Sequence, residues 1–154
     1  NFTTRACTIF ICLTVFILLS CKQKNSVNQP AIDEQIITQY IADNKLDAKA
    51  TGTGLYYVIT NAGNGSQPNI NSNVTVKYKG YLTNGSVFDQ STNNGISFSL
   101  ASVIKGWQQG IPLFKKGGKG ILLIPSELGY GNVSQGAIPE NSVLIFDIEL
   151  IDVK

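Results

Sequence analysis

The stretch NVTVKYKGYLTNGSVF, residues 73–88, restricts the fold more than any other part of the chain. Val74, Val76 and Tyr78 alternate with Thr75, Lys77 and Lys79. A period of two marks a strand with one apolar face and one solvated face. Thr83-Asn84-Gly85-Ser86 follows. Asn-Gly between alternating runs is the strongest short hairpin signal, because both central turn positions need positive φ. An antiparallel sheet must therefore start here, with Val87 and Phe88 opening the return strand. A polar loop is expected from Asp89 to Gly95, then a short strand from Ile96 to Leu100.

The rest of the chain repeats this grammar. Leu55, Tyr57 and Ile59 alternate with Tyr56 and Val58, which reads as a strand. The apolar run Ile121 to Ile124 is stopped by Pro125. A last strand spans Ser142 to Val153, with Leu144, Phe146, Ile148 and Leu150 on its buried face. Residues 61–73 are turn-forming throughout, and Ser126 to Asn141 is a long Gly-rich connection holding Tyr130 and Pro139. Between the strands, Gly106 to Phe114 is expected to form one short helix, limited by Pro112. Many short strands around one short helix predict an α+β domain, an antiparallel sheet curled over that helix.

The N-terminus has a different character. Arg5 precedes an apolar run from Ala6 to Leu19, the layout of a secretory signal over residues 1–20. The run is short for a membrane span, which needs about 20 apolar residues. Leu18-Leu19-Ser20-Cys21 resembles the bacterial lipobox, in which the signal is cut before a cysteine that is then lipidated. After cleavage Cys21 would have no disulfide partner in the chain. An uncleaved anchor helix is the alternative, and both readings attach the protein to a membrane. Lys22, Gln23 and Lys24 give no acidic export tag, so a lipid-anchored, periplasm-facing place in a bacterial cell envelope is expected. The chain contains no Met, so a truncated reading frame or a trimmed chain is also expected. Residues 21–31 read as lipidated Cys and polar linker, 32–52 as helix and connector, and 53–154 as the main domain. Ile32, Ile36, Ile37, Tyr40 and Ile41 put an apolar stripe on a helix over 32–46, for packing on the domain or on a second copy. Asp33 and Glu34 near its start would suit the helix dipole.

Composition removes whole classes of chemistry. There is no histidine, so a Ser-His-Asp or Cys-His device has no base. A His/Cys metal site has too few ligands, and no metal or other cofactor is expected. Net charge is +2 with Lys and Arg scattered, which offers no stripe for nucleic acid. The tightest group, Lys115, Lys116 and Lys119, reads as a solvated turn.

Four stretches, VTVKYKGYLTNGSVFDQS with an F-D-x-S turn at its end, VIKGWQQGIPLFKKGGKG, IPSELGYG and IPENSVLIFDIEL, resemble FKBP-type peptidyl-prolyl isomerases in order and spacing. The resemblance covers roughly residues 53–154. It implies a half-barrel of antiparallel strands around one short helix, and catalysis of X-Pro rotation in exported proteins, with chaperone activity beside it. Carried over by position, it implies catalytic roles for Asp89, Tyr130, Trp107 and Phe88. Trp107 becomes the pocket floor and Tyr130 a hydroxyl that donates to a substrate carbonyl. Tyr78, Phe98, Val103, Ile104, Ile138 and Phe146 become the walls that hold the proline. The implied partners are proline-containing unfolded or exported polypeptides, with macrolide-type inhibitors as ligands of the same pocket.

Three departures stand out. Ile96 replaces a frequent aromatic, Ser134 or Gln135 stands where small eukaryotic members carry a histidine, and Gln90 to Asn94 lacks an arginine that often braces the aspartate. The residues alone leave plainer readings open. Tyr78 and Phe146 suit a plain core, Asp89 suits a turn cap, and Tyr130 suits a loop anchor.

Overall fold

The computed structural model describes residues 28–154; the expected signal, Cys21 and most of the linker lie outside the described residues. Helix α1 spans Gln29–Asp43, earlier at both ends than the expected 32–46. Pro30 sits in its first turn, where a missing N–H leaves nothing unpaired, so it begins the helix rather than extending the linker. At the other end Lys45 takes a positive φ of 53°. The Leu46 N–H then donates to the Ile41 carbonyl (3.0 Å) and the Lys45 N–H to that of Ala42 (3.2 Å), closing the helix as a Schellman turn.

The strands follow as β1 Lys49–Ala50, β2 Tyr56–Asn61, β3 Asn73–Leu82, β4 Val87–Gln90, β5 Ile96–Ser99, β6 Lys119–Ile124 and β7 Leu144–Val153. All pair antiparallel in the order β1-β2-β6-β7-β3-β4, with β5 on the first half of β3. The β3–β7 ladder runs from Val74↔Val153 to Leu82↔Leu144 and forms the centre of the sheet. β4 continues through Asp89 and Gln90, paired with Gly80 and Lys79, so the expected polar loop starts two residues later than Asp89.

The concave face holds α2, Lys105–Gly110, continued by a 3-10 turn at Ile111–Leu113. This helix is shorter than the expected 106–114, because Pro112 cannot donate to a further α turn. Trp107, Ile111 and Phe114 pack with Leu55, Val76, Leu122, Ile124, Leu144 and Leu150 into the main core. The convex face is covered by α1. Ile37 is buried with Leu123 and Val143, flanked by Tyr40, Ile41, Tyr56 and Ile121. Ile37, Tyr40 and Ile41 of the apolar stripe of α1 therefore pack on its own domain, while Ile32 and Ile36 stay exposed. This explains why β2 and β6 are apolar on both faces.

Asp33 does not serve the helix dipole, since it lies past the first turn and is fully buried. Its carboxylate is tied across the seam to Ser126, while Glu34 accepts a hydrogen bond from the Tyr56 hydroxyl. On the same face the Tyr81 hydroxyl donates to Asp147 (3.0 Å). Burial first, then Asp147, holds the Tyr81 hydroxyl protonated far above the usual tyrosine range. The Tyr56 hydroxyl is raised as well, chiefly by its bond to Glu34. An unfolded chain ionises its tyrosines near the ordinary value of 10.0, where the folded protein keeps these protons. Stability must then fall as pH rises past that value. Urea midpoints measured across it should decline, with a shallower decline in Tyr81→Phe. A midpoint indifferent to alkali contradicts the assignment.

Candidate active site

Strand β3 places Tyr78 and Gly80 on the concave face, two residues apart. A Cβ at Gly80 would lie 2.6 Å from the Phe88 ring and 2.7 Å from the Phe146 ring. Glycine here lets Phe88 of β4 and Phe146 of β7 meet edge-to-face, 5.5 Å between centroids. Gly80→Ala should therefore destabilise the fold by about 1–3 kcal/mol through overpacking. It should also raise the KM for a prolyl peptide, as seen in urea titration and initial rates. A fully stable, fully active Gly80→Ala protein would show that this ring contact does not shape the site.

Trp107 forms the floor. Gly110 brings α2 so near β6 that an added Cβ would sit 2.6 Å from the Leu122 side chain. The indole is 5% exposed and meets Tyr78 (5.0 Å, 83°), Phe146 (5.1 Å, 78°) and Phe98 (5.3 Å, 42°). The two edge-to-face contacts and the tilted one with Phe98 lock the ring in place. Among the described residues, its Nε1–H has no oxygen or nitrogen acceptor.

One carboxylate reaches this aromatic box. Asp89 Oδ2 accepts a hydrogen bond from the Tyr78 hydroxyl (2.6 Å). The carboxylate is therefore held from β3, without the arginine absent from Gln90 to Asn94, and it caps no turn. Burial first, then this bond to Asp89, keeps the Tyr78 hydroxyl protonated well above the tyrosine range. Ser91 supports the pair: its Oγ accepts from the Tyr78 N–H (3.0 Å) and its N–H donates to the Tyr78 carbonyl (3.0 Å).

The rim comes from loops. Val103 and Ile104 precede α2, and Gln108 Nε2 donates to the Val103 carbonyl (2.8 Å). Among the described residues, none accepts from the Ile104 N–H. Tyr130 lies beyond a 3-10 turn at Ser126–Leu128 and is 38% exposed. Gln135 and Ile138 exchange backbone hydrogen bonds (2.9 Å each), which brings Ile138 down onto the core.

All ten residues assigned to catalysis or substrate from the sequence line one cleft of about 590 Å³: Tyr78, Phe88, Asp89, Phe98, Val103, Ile104, Trp107, Tyr130, Ile138 and Phe146. Cys21 lies outside the described residues. Ile96 lines the mouth, where it replaces an aromatic wall with a smaller aliphatic one. Ser102, Gln135, Gly136 and Ala137 also line the cleft and were not assigned as site residues. Their residue types carry no signal. They are placed by the turn before Val103 and by the Gln135–Ile138 pairing. A second groove, about 560 Å³ across β3, β6 and β7, has a charged lining, with Lys119 paired to Glu149 at 3.1 Å. The first cleft, unlike the second, combines an aromatic floor with a fixed acid.

A curled antiparallel sheet closed over one short helix, with an aromatic cleft at the helix start, defines a class of half-barrel with one open cleft. The family model described as FKBP-type peptidyl-prolyl cis-trans isomerase matches residues 64–151. The chain is 48% identical over 108 residues to the FKBP-type peptidyl-prolyl cis-trans isomerase FkpA of Escherichia coli K12, covering 69% of this chain and 40% of that protein. A probable FKBP-type isomerase of Haemophilus influenzae is 50% identical over 110 residues, covering 70% and 46%. The chain thus spans less than half the length of these curated relatives. The crystal structure of Escherichia coli FkpA superposes with a TM-score of 0.73 at 42% identity, over 81% of this chain and 61% of that one. A peptidyl-prolyl cis-trans isomerase structure from Pseudomonas syringae gives 0.73 at 34% identity, over 82% and 93%. The chain belongs to the FKBP-type peptidyl-prolyl cis-trans isomerase family.

Proposed function

We propose that this chain accelerates cis-trans rotation of X-Pro bonds in exported polypeptides. The observation that carries the reading is the cleft itself: an apolar aromatic floor with one carboxylate on its wall. An amide rotates over a barrier of roughly 18–20 kcal/mol set by resonance, and an X-Pro bond takes tens to hundreds of seconds unaided. No bond breaks, so binding the twisted amide better than the planar one is sufficient.

The residues divide that task. Tyr78, Phe88, Trp107 and Phe146 hold the proline ring, with Phe98 and Ile138 closing the sides. Rotation removes resonance and leaves a less polarised carbonyl, which a water-poor cleft favours over the planar form. The Ile104 N–H and the Tyr130 hydroxyl orient the flanking peptide, and Val103 packs beside it. Asp89, held by Tyr78, faces the rotating amide and stabilises its altered charge. Macrolide-type inhibitors fit the same cleft as proline mimics.

We place the protein in the bacterial cell envelope, anchored through lipid on Cys21 and facing the periplasm, on the strength of the Ala6–Leu19 run and the Leu-Leu-Ser-Cys segment. Mass spectrometry of the mature N-terminus reads this directly. A diacylglyceryl cysteine supports the anchor, and an unmodified N-terminal run removes it. For the activity, the test is refolding of a protein whose slow phase is proline isomerisation. Acceleration of that phase at micromolar concentrations supports the reading. An unchanged slow phase, with aggregation suppressed, would instead leave only a holding role for the cleft.

A further inference from the structure

Asp33 is fully buried on α1 and does not line the cleft. A carboxylate shut away from water is tolerated only when donors replace its hydration. Three do so here: Gln29 Nε2 donates to Oδ1 (2.7 Å), while the Ser126 N–H (2.7 Å) and hydroxyl (2.6 Å) donate to Oδ2. Ser126 is itself 1% exposed and opens the 3-10 turn Ser126–Leu128. The first N–H of a helical turn has no partner inside the turn. Asp33 supplies that partner from another element, as a cap delivered across 93 residues.

Ser126 in turn holds the segment that carries Tyr130. Its carbonyl accepts the N–H groups of Gly129 (2.9 Å) and Gly131 (2.8 Å), the two neighbours of Tyr130. Tyr130 is thus held between two residues that both hang on Ser126, which hangs on Asp33. We propose that Asp33 is a positioning residue for the cleft: it clamps the turn that aims the Tyr130 hydroxyl, and α1 is therefore a working part of the site. The family match begins only at residue 64, after this helix. The inference rests on the reading that Tyr130 orients the substrate peptide.

The test compares Asp33→Ala, Asp33→Asn and Ile37→Ala in the whole 154-residue chain in mild detergent. Ile37 anchors α1 on Leu123 and Val143 and serves as the control for simple loss of helix docking. Amide exchange should quicken at Gly129 and Gly131 in Asp33→Ala, by about tenfold more than at Leu122 of the central sheet. Ile37→Ala should show no such local excess. kcat/KM for a leucyl-prolyl tetrapeptide should fall about tenfold in Asp33→Ala, and in a Tyr130→Phe background that extra loss should shrink to within about twofold. Asp33→Asn keeps one carbonyl acceptor, and the Gln29 amide can turn to meet its NH₂, so activity should recover to within about threefold.

Unchanged exchange at Gly131 would overturn the clamp. So would losses that multiply with Tyr130→Phe, or an equal loss in Ile37→Ala. An inactive wild-type chain would sink the isomerase reading alone. The same variants are then compared by tetrapeptide affinity, read through Trp107, the single tryptophan. An affinity indifferent to Asp33 overturns the inference there too.

Discussion

Phe114→Ala should cost about 3–5 kcal/mol of stability, the usual penalty for emptying a buried phenylalanine site. Phe114 is fully buried and heads the largest closed side chains of the core. It lies where the turn after α2 meets β6, and an added Cβ on Gly120 would come within 2.8 Å of its ring. With glycine on that side, no neighbour can swing in to fill the space. A domain of this size typically has about 5–15 kcal/mol in total. The urea midpoint should therefore drop by about a fifth or more of its value with the slope unchanged. Phe114 does not line the cleft, so protein that remains folded should keep its kcat/KM. A loss under about 1 kcal/mol would mean that the core relaxes far more than this packing allows.

Trp107→Leu and Asp89→Ala should produce the largest losses of activity. In the proposed mechanism the indole is the surface on which the proline ring rests, and three aromatic rings surround it. Leucine fills part of the volume but supplies neither the flat face nor the edge contacts. A loss of about 2 kcal/mol of differential binding corresponds to roughly thirtyfold in kcat/KM. Asp89→Ala removes the carboxylate and also frees the Tyr78 hydroxyl from its 2.6 Å bond. About tenfold is expected there, with Asp89→Asn milder because its carbonyl still accepts from Tyr78. Circular dichroism must show both variants folded at the assay temperature. Unchanged rates in both would mean that the cleft has been assigned wrongly.

The strands that build the site were legible because their side chains alternate. Val74, Val76 and Tyr78 mark the concave face of β3, and Asn84-Gly85 marks its turn. Trp107 was legible as a floor only through the family resemblance, since a lone tryptophan between glycines has no period. Asp89 misled because Asp-Gln-Ser-Thr-Asn is loop-forming locally. Pairing with Gly80 and Lys79 overrides that preference. The two-residue strand Lys49–Ala50 is too short to carry a pattern. Pro30 read as a linker residue, although the first turn of a helix suits it equally. The tie between Asp33 and Ser126 was invisible for a different reason. Contacts across 93 residues leave no trace in local propensity, and only the folded backbone brings α1 to that turn.

A short peptide separates catalysis from mere holding, because it has no folded state to protect. The most direct measurement is therefore a protease-coupled assay on an Xaa-Pro tetrapeptide with micromolar protein, wild type beside Trp107→Leu. Wild type should accelerate the slow cis-to-trans phase in proportion to its concentration, and the variant should lose most of that acceleration. A slow phase that wild-type protein leaves at its uncatalysed rate would contradict the account.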